Sequence, residues 1–233
     1  MRAFNKTLLL SALLGAALLA GAGPSSASGM QPRASAVVIL ESEGEAEMLV
    51  RNTDATASLL YTAVVDLPEG PEALVIATPA VARVEPGDEQ LVRFVYEGPP
   101  LTTQVMKRVT FEGIGAERDN DGQVAVGVGV RYDLPMILHP KGLAENNAPW
   151  EQLAWTRTAD ALLVSNDTPY VVRLQPSAVL MPSKTEVGLP RPYILPGEQL
   201  RLPVTGAGGD STVVLQPVGL YGFAAGPYTA PVK

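Results

Sequence analysis

The chain has 233 residues, contains no cysteine and carries a formal net charge of −7. The acidic balance argues against the basic surface that nucleic-acid binding requires, and the absence of cysteine excludes disulfides and thiol chemistry. The fold must therefore rest on hydrophobic cores, for which two domains of about 100 residues each are long enough.

The first 27 residues predict a cleaved secretory signal peptide. Arg2 and Lys6 precede an apolar run over residues 8–22, and a stretch of small residues follows it. These are the three parts of such a peptide, whereas a transmembrane anchor needs about 20 apolar residues. We expect cleavage after Ala27, which removes both cations and makes the remaining chain still more acidic. No later segment is apolar enough to predict insertion into a membrane.

Proline and glycine, 21 and 22 residues respectively, divide the rest of the chain into short β-rich runs without a long helical period. This pattern predicts an all-β sandwich fold. In the first half, strands are predicted over residues 35–40, 46–51, 58–66, 74–78, 81–84, 90–96, 106–113 and 124–138. In the second half, they are predicted over residues 153–158, 161–166, 170–175, 179–181, 193–195, 199–203, 211–217 and 220–223.

Two domains are predicted on either side of a polar stretch. The first covers residues 28–142, the linker 143–148 and the second domain 149–233. Pro-Gly turns at 85–88 and 195–198 occupy similar places in the two halves, each before a predicted strand that contains arginine. Proline presets φ in such a turn and glycine supplies the positive φ. The last residues, from 226 onward, are expected to be frayed.

A row of valines gives the chain its most distinctive pattern. Val124, Val126, Val128 and Val130 alternate with alanine and glycine. On a strand, all four valines lie on one face and the other face is almost bare. Two interpretations stay open: an ordinary sandwich strand with one thinly covered face, or a sheet edge that lends its valines to a partner protein.

The chain contains no recognisable catalytic or metal-binding motif. His139 is the single histidine, so it cannot form a usual zinc site without cysteine, and no serine motif accompanies it as a catalytic base would require. Asp119 and Asp121 lack the spacing of a calcium loop and predict a solvated hairpin turn. We therefore predict no enzyme activity, no metal and no cofactor.

Several runs resemble the periplasmic chaperones of the chaperone–usher pathway, which assemble pili and other surface fibres. Residues 75–87, Val-Ile-Ala-Thr-Pro-Ala-Val-Ala-Arg-Val-Glu-Pro-Gly, are followed by Gln-Leu-Val-Arg-Phe at 90–94. Residues 134–140 are Leu-Pro-Met-Ile-Leu-His-Pro, and residues 164–172 are Val-Ser-Asn-Asp-Thr-Pro-Tyr-Val-Val. The resemblance covers essentially all of the chain after the signal peptide, in the family's order.

This resemblance implies two tandem immunoglobulin-like β-sandwich domains arranged as a boomerang, with a binding cleft between them. It also implies a periplasmic protein that stabilises a pilus or fimbrial subunit, here called the client, by donor-strand complementation, a form of β-strand addition. The chaperone then delivers the client to an outer-membrane usher. The predicted donor residues are Val124, Val126, Val128 and Val130. An unoccupied donor strand would favour self-association.

In this family, two basic residues in the cleft hold the client's C-terminal carboxylate. One is an arginine early in the first strand and the other a lysine near the end of the donor strand. The aligned positions here, at or beside Ala34 and at Pro135, are neutral. Three nearby arginines are the candidate anchors instead: Arg33, Arg108 and Arg131.

Two other functions remain as alternatives. An exported fibre subunit or adhesin would also be β-rich and acidic, but it would usually be a single domain with a donor extension at its N-terminus. Here a second strand series follows the first, and residues 28–35 offer few alternating apolar side chains. An enzyme with a β-sandwich binding module is opposed by the missing catalytic set.

Overall fold

The computed structural model describes residues 29–115, 130–204 and 209–233. The regular secondary structure in these ranges is β-strand apart from one short 3-10 helix at Pro149–Gln152, so the all-β prediction is confirmed. None of the helices in the described ranges is long and apolar enough to cross a membrane. The predicted signal peptide lies outside the described residues, as do Val124, Val126 and Val128.

The described part of the first domain contains nine strands in two sheets. They are β1 (Met30–Pro32), β2 (Val37–Leu40), β3 (Glu45–Asn52), β4 (Ser58–Asp66), β5 (Val75–Thr78), β6 (Val81–Val84), β7 (Glu89–Tyr96), β8 (Val105–Gly115) and β9 (Arg131–His139). One sheet has the order β1-β3-β7-β5 and the other the order β2-β9-β8-β4-β6. The start of the chain crosses between the sheets, because β1 pairs with β3 whereas β2 pairs with β9.

The core of the first domain lies between these two sheets. Val92 and Phe94 of β7 are fully buried, whereas Leu91 and Arg93, which alternate with them, point to the surface, as the period of two requires. Phe94 meets Phe111 of the opposite sheet edge to face, with ring centroids 6.3 Å apart. This geometry is favoured by the quadrupoles of the rings and joins the two sheets at their centre.

Over the residues that the structure describes, the second domain has ten strands around its own core. They are β10 (Ala154–Arg157), β11 (Ala161–Asn166), β12 (Val172–Leu174), β13 (Ser177–Met181), β14 (Thr185–Gly188), β15 (Tyr193–Ile194), β16 (Glu198–Pro203), β17 (Thr212–Leu215), β18 (Pro217–Val218) and β19 (Tyr228–Pro231). They form sheets of order β10-β11-β16, β15-β12-β18 and β14-β13-β17-β19. Trp150 and Trp155 are both buried in this core.

Two predictions for the end of the chain are wrong. Residues 220–223 form a turn rather than a strand, because Gly222 has φ of +92° and its N–H donates to the carbonyl of Gly219. The segment expected to be frayed contains β19, which pairs with β17 and buries Ala230. Pro231 is tolerated there because β19 is an edge strand.

The two domains share a third, smaller apolar cluster. Leu67, Met106 and Ile137 come from the first domain, and Val171, Tyr193 and Leu195 come from the second. All six side chains are buried. The domains therefore meet through a continuous hydrophobic contact as well as through the linker.

A buried amide, Gln104, adds polar contacts between the two domains, in the region that we call the joint. Its Oε1 accepts the backbone N–H of Val171 at 2.8 Å, which orients the amide so that Nε2 donates to Nδ1 of His139 at 2.9 Å. Nε2 of His139 then donates to the carbonyl of Leu143, also at 2.9 Å. Both ring nitrogens of His139 are thus used by the joint in the neutral Nε2–H tautomer.

Replacing Gln104 tests how much this hydrogen-bond network contributes to the stability of the protein. Gln104→Leu leaves the Val171 N–H and the His139 Nδ1 buried without partners, so we expect a loss of about 1–3 kcal/mol in the free energy of unfolding. Urea denaturation followed by circular dichroism measures it. Gln199→Leu is the control, because the Gln199 side chain donates to the Ser165 hydroxyl at the surface and not at the joint. Equal midpoints for the two variants would contradict the assignment.

A second polar group crosses the joint at Tyr193. Its hydroxyl donates to Oε1 of Glu69 at 2.7 Å, and Arg191 forms an ion pair with the same carboxylate at 2.9 Å. Burial raises the pKa of Tyr193 to about 12, and the hydrogen bond to Glu69 adds to this effect. The same hydrogen bond, helped by Arg191, lowers the pKa of Glu69 below its ordinary value. The joint therefore favours a neutral phenol beside a charged carboxylate.

The raised pKa of Tyr193 predicts an alkaline loss of stability. The contribution is fully present below about pH 10, where an unfolded tyrosine is neutral, and is lost as the pH rises through about 12. We expect Tyr193→Phe to remove this component, so that the urea midpoint falls less across this window than in the wild type. The matched control is Tyr221→Phe, at an exposed tyrosine. A wild-type alkaline profile for Tyr193→Phe would refute the prediction.

Candidate functional site

One edge of β9 is open over half of its length. β8 pairs with β9 along Arg131–Leu138, whereas β2 pairs only with the last four residues, from Met136 to His139. Within the described ranges, no strand pairs with this second edge between Arg131 and Pro135. The backbone groups of an unpaired edge are a ready template for another strand.

Val130 is the member of the valine row that the structure describes. It lies directly before β9 and is partly buried. Its Cβ is 3.4 Å from the position that a Cβ would take on Gly29, so the two residues are in close contact. The row therefore leads straight into the half of β9 that has an open edge, and the donor role of the four valines stays a prediction.

The three candidate anchors lie in different surroundings. Arg33 forms an ion pair with Glu89 of β7 and is attached to the opposite sheet. Arg131 is exposed at the start of β9, about 13 Å along the strand from Pro135. Arg108 lies on β8 directly opposite Pro135. Only Arg108 is thus beside the neutral position that aligns with the family's lysine.

Arg108 and Pro135 line a recess between the two domains. Met106 contributes from the first domain, and Arg173 and Pro192 contribute from the second. Nε of Arg108 donates to Oδ1 of Asp133 at 2.8 Å, and Nη2 donates to the Asp133 carbonyl at 2.7 Å. The recess is therefore lined by two arginines, one of which is paired with a carboxylate.

Arg173 is the recess residue that sequence reasoning missed. It lies on β12 and is partly buried, and its Nη1 donates to the carbonyls of Gly219 and Leu220 at 3.2 and 3.3 Å. Burial lowers its pKa below the ordinary arginine value, and repulsion by Arg108 lowers it further. No local motif marks this arginine, because only the packing of the two domains brings it opposite Arg108.

Two family models match the chain. The N-terminal domain of the PapD pili and flagellar-assembly chaperones matches residues 29–144, and the C-terminal domain of the pili assembly chaperone PapD matches residues 148–225. The chain belongs to the family of pili-assembly chaperones. This membership gives it a chaperone role for pilus subunits, which is a non-enzymatic role.

Curated relatives agree with this assignment. The chaperone is 37% identical over 209 residues to the uncharacterized fimbrial chaperone YhcA of Escherichia coli K12, covering 89% of this chain and 92% of the relative. It is 26% identical over 219 residues to chaperone protein FimB/FhaD of Bordetella pertussis, covering 84% and 86%. Both alignments extend across the two domains.

Solved structures share the fold. The chaperone aligns with a chain in the complex of Salmonella enterica SafA pilin with the SafB chaperone at a TM-score of 0.74 and 16% identity, covering 89% and 98%. It aligns with the E. coli chaperone DraB at a TM-score of 0.71 and 18% identity, covering 88% and 97%. The predicted two-domain immunoglobulin-like fold is confirmed. The fibre-subunit alternative loses its support, because both halves match chaperone models.

Proposed function

We propose that this chaperone acts in the periplasm and completes the fold of its client by lending it the strand that contains the valine row. The observation that carries this proposal is the open edge of β9, which continues from Val130 to the recess beside Pro135. A client strand added along this edge would gain main-chain hydrogen bonds, while the valines would fill its groove. An outer-membrane usher would then receive the client.

The expected energetics suit temporary binding. Burying one valine contributes about 1.5 kcal/mol or somewhat more, so three or four valines give roughly 5–6 kcal/mol of gross apolar gain. The ordering of the strand and the loss of rotational freedom reduce this gain. Such a complex can protect an incomplete subunit and still release it to a better-fitting donor strand. Without a client, the same open edge would favour self-association.

A charge in the valine row tests the donor assignment. Val128→Asp should leave the chaperone folded and exported but abolish client recovery, because the carboxylate would be buried without a partner in the client groove. The measurement is a pull-down of tagged chaperone from its own host, with mass spectrometry of the co-purified subunit. The control is Val81→Asp, at an exposed valine of β6, at the far end of the same sheet. Wild-type recovery with Val128→Asp would remove the donor assignment.

The candidate anchors predict a ranking of client capture. Arg108→Gln should reduce client recovery by about tenfold or more, since a charged hydrogen bond to the client carboxylate is lost. Arg33→Gln should behave as the wild type, because Arg33 pairs with Glu89 of the opposite sheet and does not line the recess. Arg131→Gln tests the third candidate in the same pull-down. If Arg131→Gln alone loses the client, the anchor is at the start of β9 instead of in the recess.

A further inference from the structure

The backbone groups of β9 face its two edges alternately, and the pairing shows which residues face the open edge. In a strand, the N–H and C=O of one residue point to the same edge, and those of the next residue point to the other. The carbonyl of His139 accepts the N–H of Glu41, just after the end of β2. β2 lies along the second edge of β9, so His139 faces that edge. By alternation, so do Pro135, Asp133 and Arg131.

Pro135 agrees with this alternation. Proline has no N–H, so it fits a strand only where that group is not needed for pairing. Pro135 lies opposite Arg108 of β8, and because its nitrogen faces the open side, the pairing of β8 with β9 loses no hydrogen bond there. The open edge therefore lacks one donor beside the recess.

The carbonyl of Asp133 on this open edge is occupied by a side chain. Nη2 of Arg108 donates to it at 2.7 Å, and Nε of the same guanidinium donates to Oδ1 of Asp133 at 2.8 Å. Arg108 belongs to β8, on the paired side of β9, so its side chain crosses the face of β9 to reach the open edge. The Asp133 carboxylate thus holds the guanidinium in place, and the guanidinium covers the Asp133 carbonyl.

We propose that Arg108 and Asp133 form a cap that keeps the open edge of β9 from pairing with a second copy of this chain. A strand added along this edge needs the Asp133 carbonyl as an acceptor, and that carbonyl becomes available only when Arg108 leaves it. Together with the missing N–H of Pro135, the cap stops a pairing ladder short of the recess. Charged side chains and proline are means by which proteins protect their sheet edges from one another.

The cap is weak enough to be displaced. The side chains of Arg108 and Asp133 are 27% and 53% exposed, and ion pairs at such positions contribute little and are screened by salt. A partner strand that forms several main-chain hydrogen bonds therefore displaces Arg108, whereas an encounter that forms only one or two does not. That a client is such a partner rests on the proposed function, whereas the cap itself does not.

Self-association of the purified chaperone tests the cap without a client. Asp133→Ala removes the carboxylate that holds the guanidinium, so we expect the dissociation constant of the dimer to fall by about tenfold or more. Sedimentation equilibrium over a dilution series measures it. The matched control is Asp160→Ala, which removes the same charge from an exposed residue paired with Arg201 in the second domain. Equal association of the two variants, including none in either, would overturn the proposal.

A second substitution tests whether this gain uses the edge of β9. Arg131→Pro removes an N–H that faces the open edge and leaves the pairing with β8 intact. Added to Asp133→Ala, it should return the dissociation constant to the wild-type value, with circular dichroism as the check on folding. If the double variant does not fold, amide hydrogen exchange decides, because the Arg131 N–H should be protected in the Asp133→Ala dimer. A folded double variant that still dimerises, or a dimer without this protection, would contradict the cap.

Arg108→Gln separates the cap from the anchor role proposed above. Arg108→Gln and Asp133→Ala both remove the cap, so both should self-associate more strongly than the wild type. In the client pull-down, Arg108→Gln should lose the client, whereas Asp133→Ala keeps the guanidinium and should retain it. Stronger self-association of Arg108→Gln with normal client recovery would support the cap and reject the anchor. Loss of the client without stronger self-association would reject the cap and leave the anchor in place.

Discussion

The pairing of β9 is the constraint on which the rest of the structure depends. β8 fixes one edge of the strand throughout, and β2 fixes the other edge only over Met136–His139. The crossing of the first strand between the sheets causes this asymmetry, since β1 belongs to the opposite sheet and β2 begins only at Val37. The second half of β9 is therefore paired on both edges, and it anchors the first half, which has one open edge.

The joint between the domains is held by an apolar cluster and a small number of polar contacts. The apolar cluster buries hydrophobic surface, which favours contact between the domains but does not fix their orientation. The Gln104–His139 and Tyr193–Glu69 hydrogen bonds depend on angle and distance, so they fix that orientation. Because Gln104 contacts the second domain and β9 at once, it couples the joint to the strand that carries the open edge. The recess is formed by the same contact, so the angle between the domains also sets the distance between Arg108 and Arg173.

Much of the fold could be predicted from local pattern, and the site only in part. The strands at Ser58–Asp66 and Ala161–Asn166 have clear alternation or continuous apolar runs, and their bounds agree with the predictions. The turn at 220–223 was missed because its apolar side chains look like a strand, although Gly219 and Gly222 close it. Arg108 could be proposed from the sequence because it lies on the strand next to the predicted donor strand. Arg173 could not be found, because pairing between domains leaves no local signal.

The placement of the aromatic residues gives the two domains different optical properties. Both tryptophans lie in the core of the second domain, one on the short helix and the other on β10, and the first domain has none. Intrinsic indole emission therefore senses the packing of one half of the molecule, while the other half is seen only through its backbone and phenolic chromophores. A single unlabelled sample can thus show whether the two domains melt together or separately.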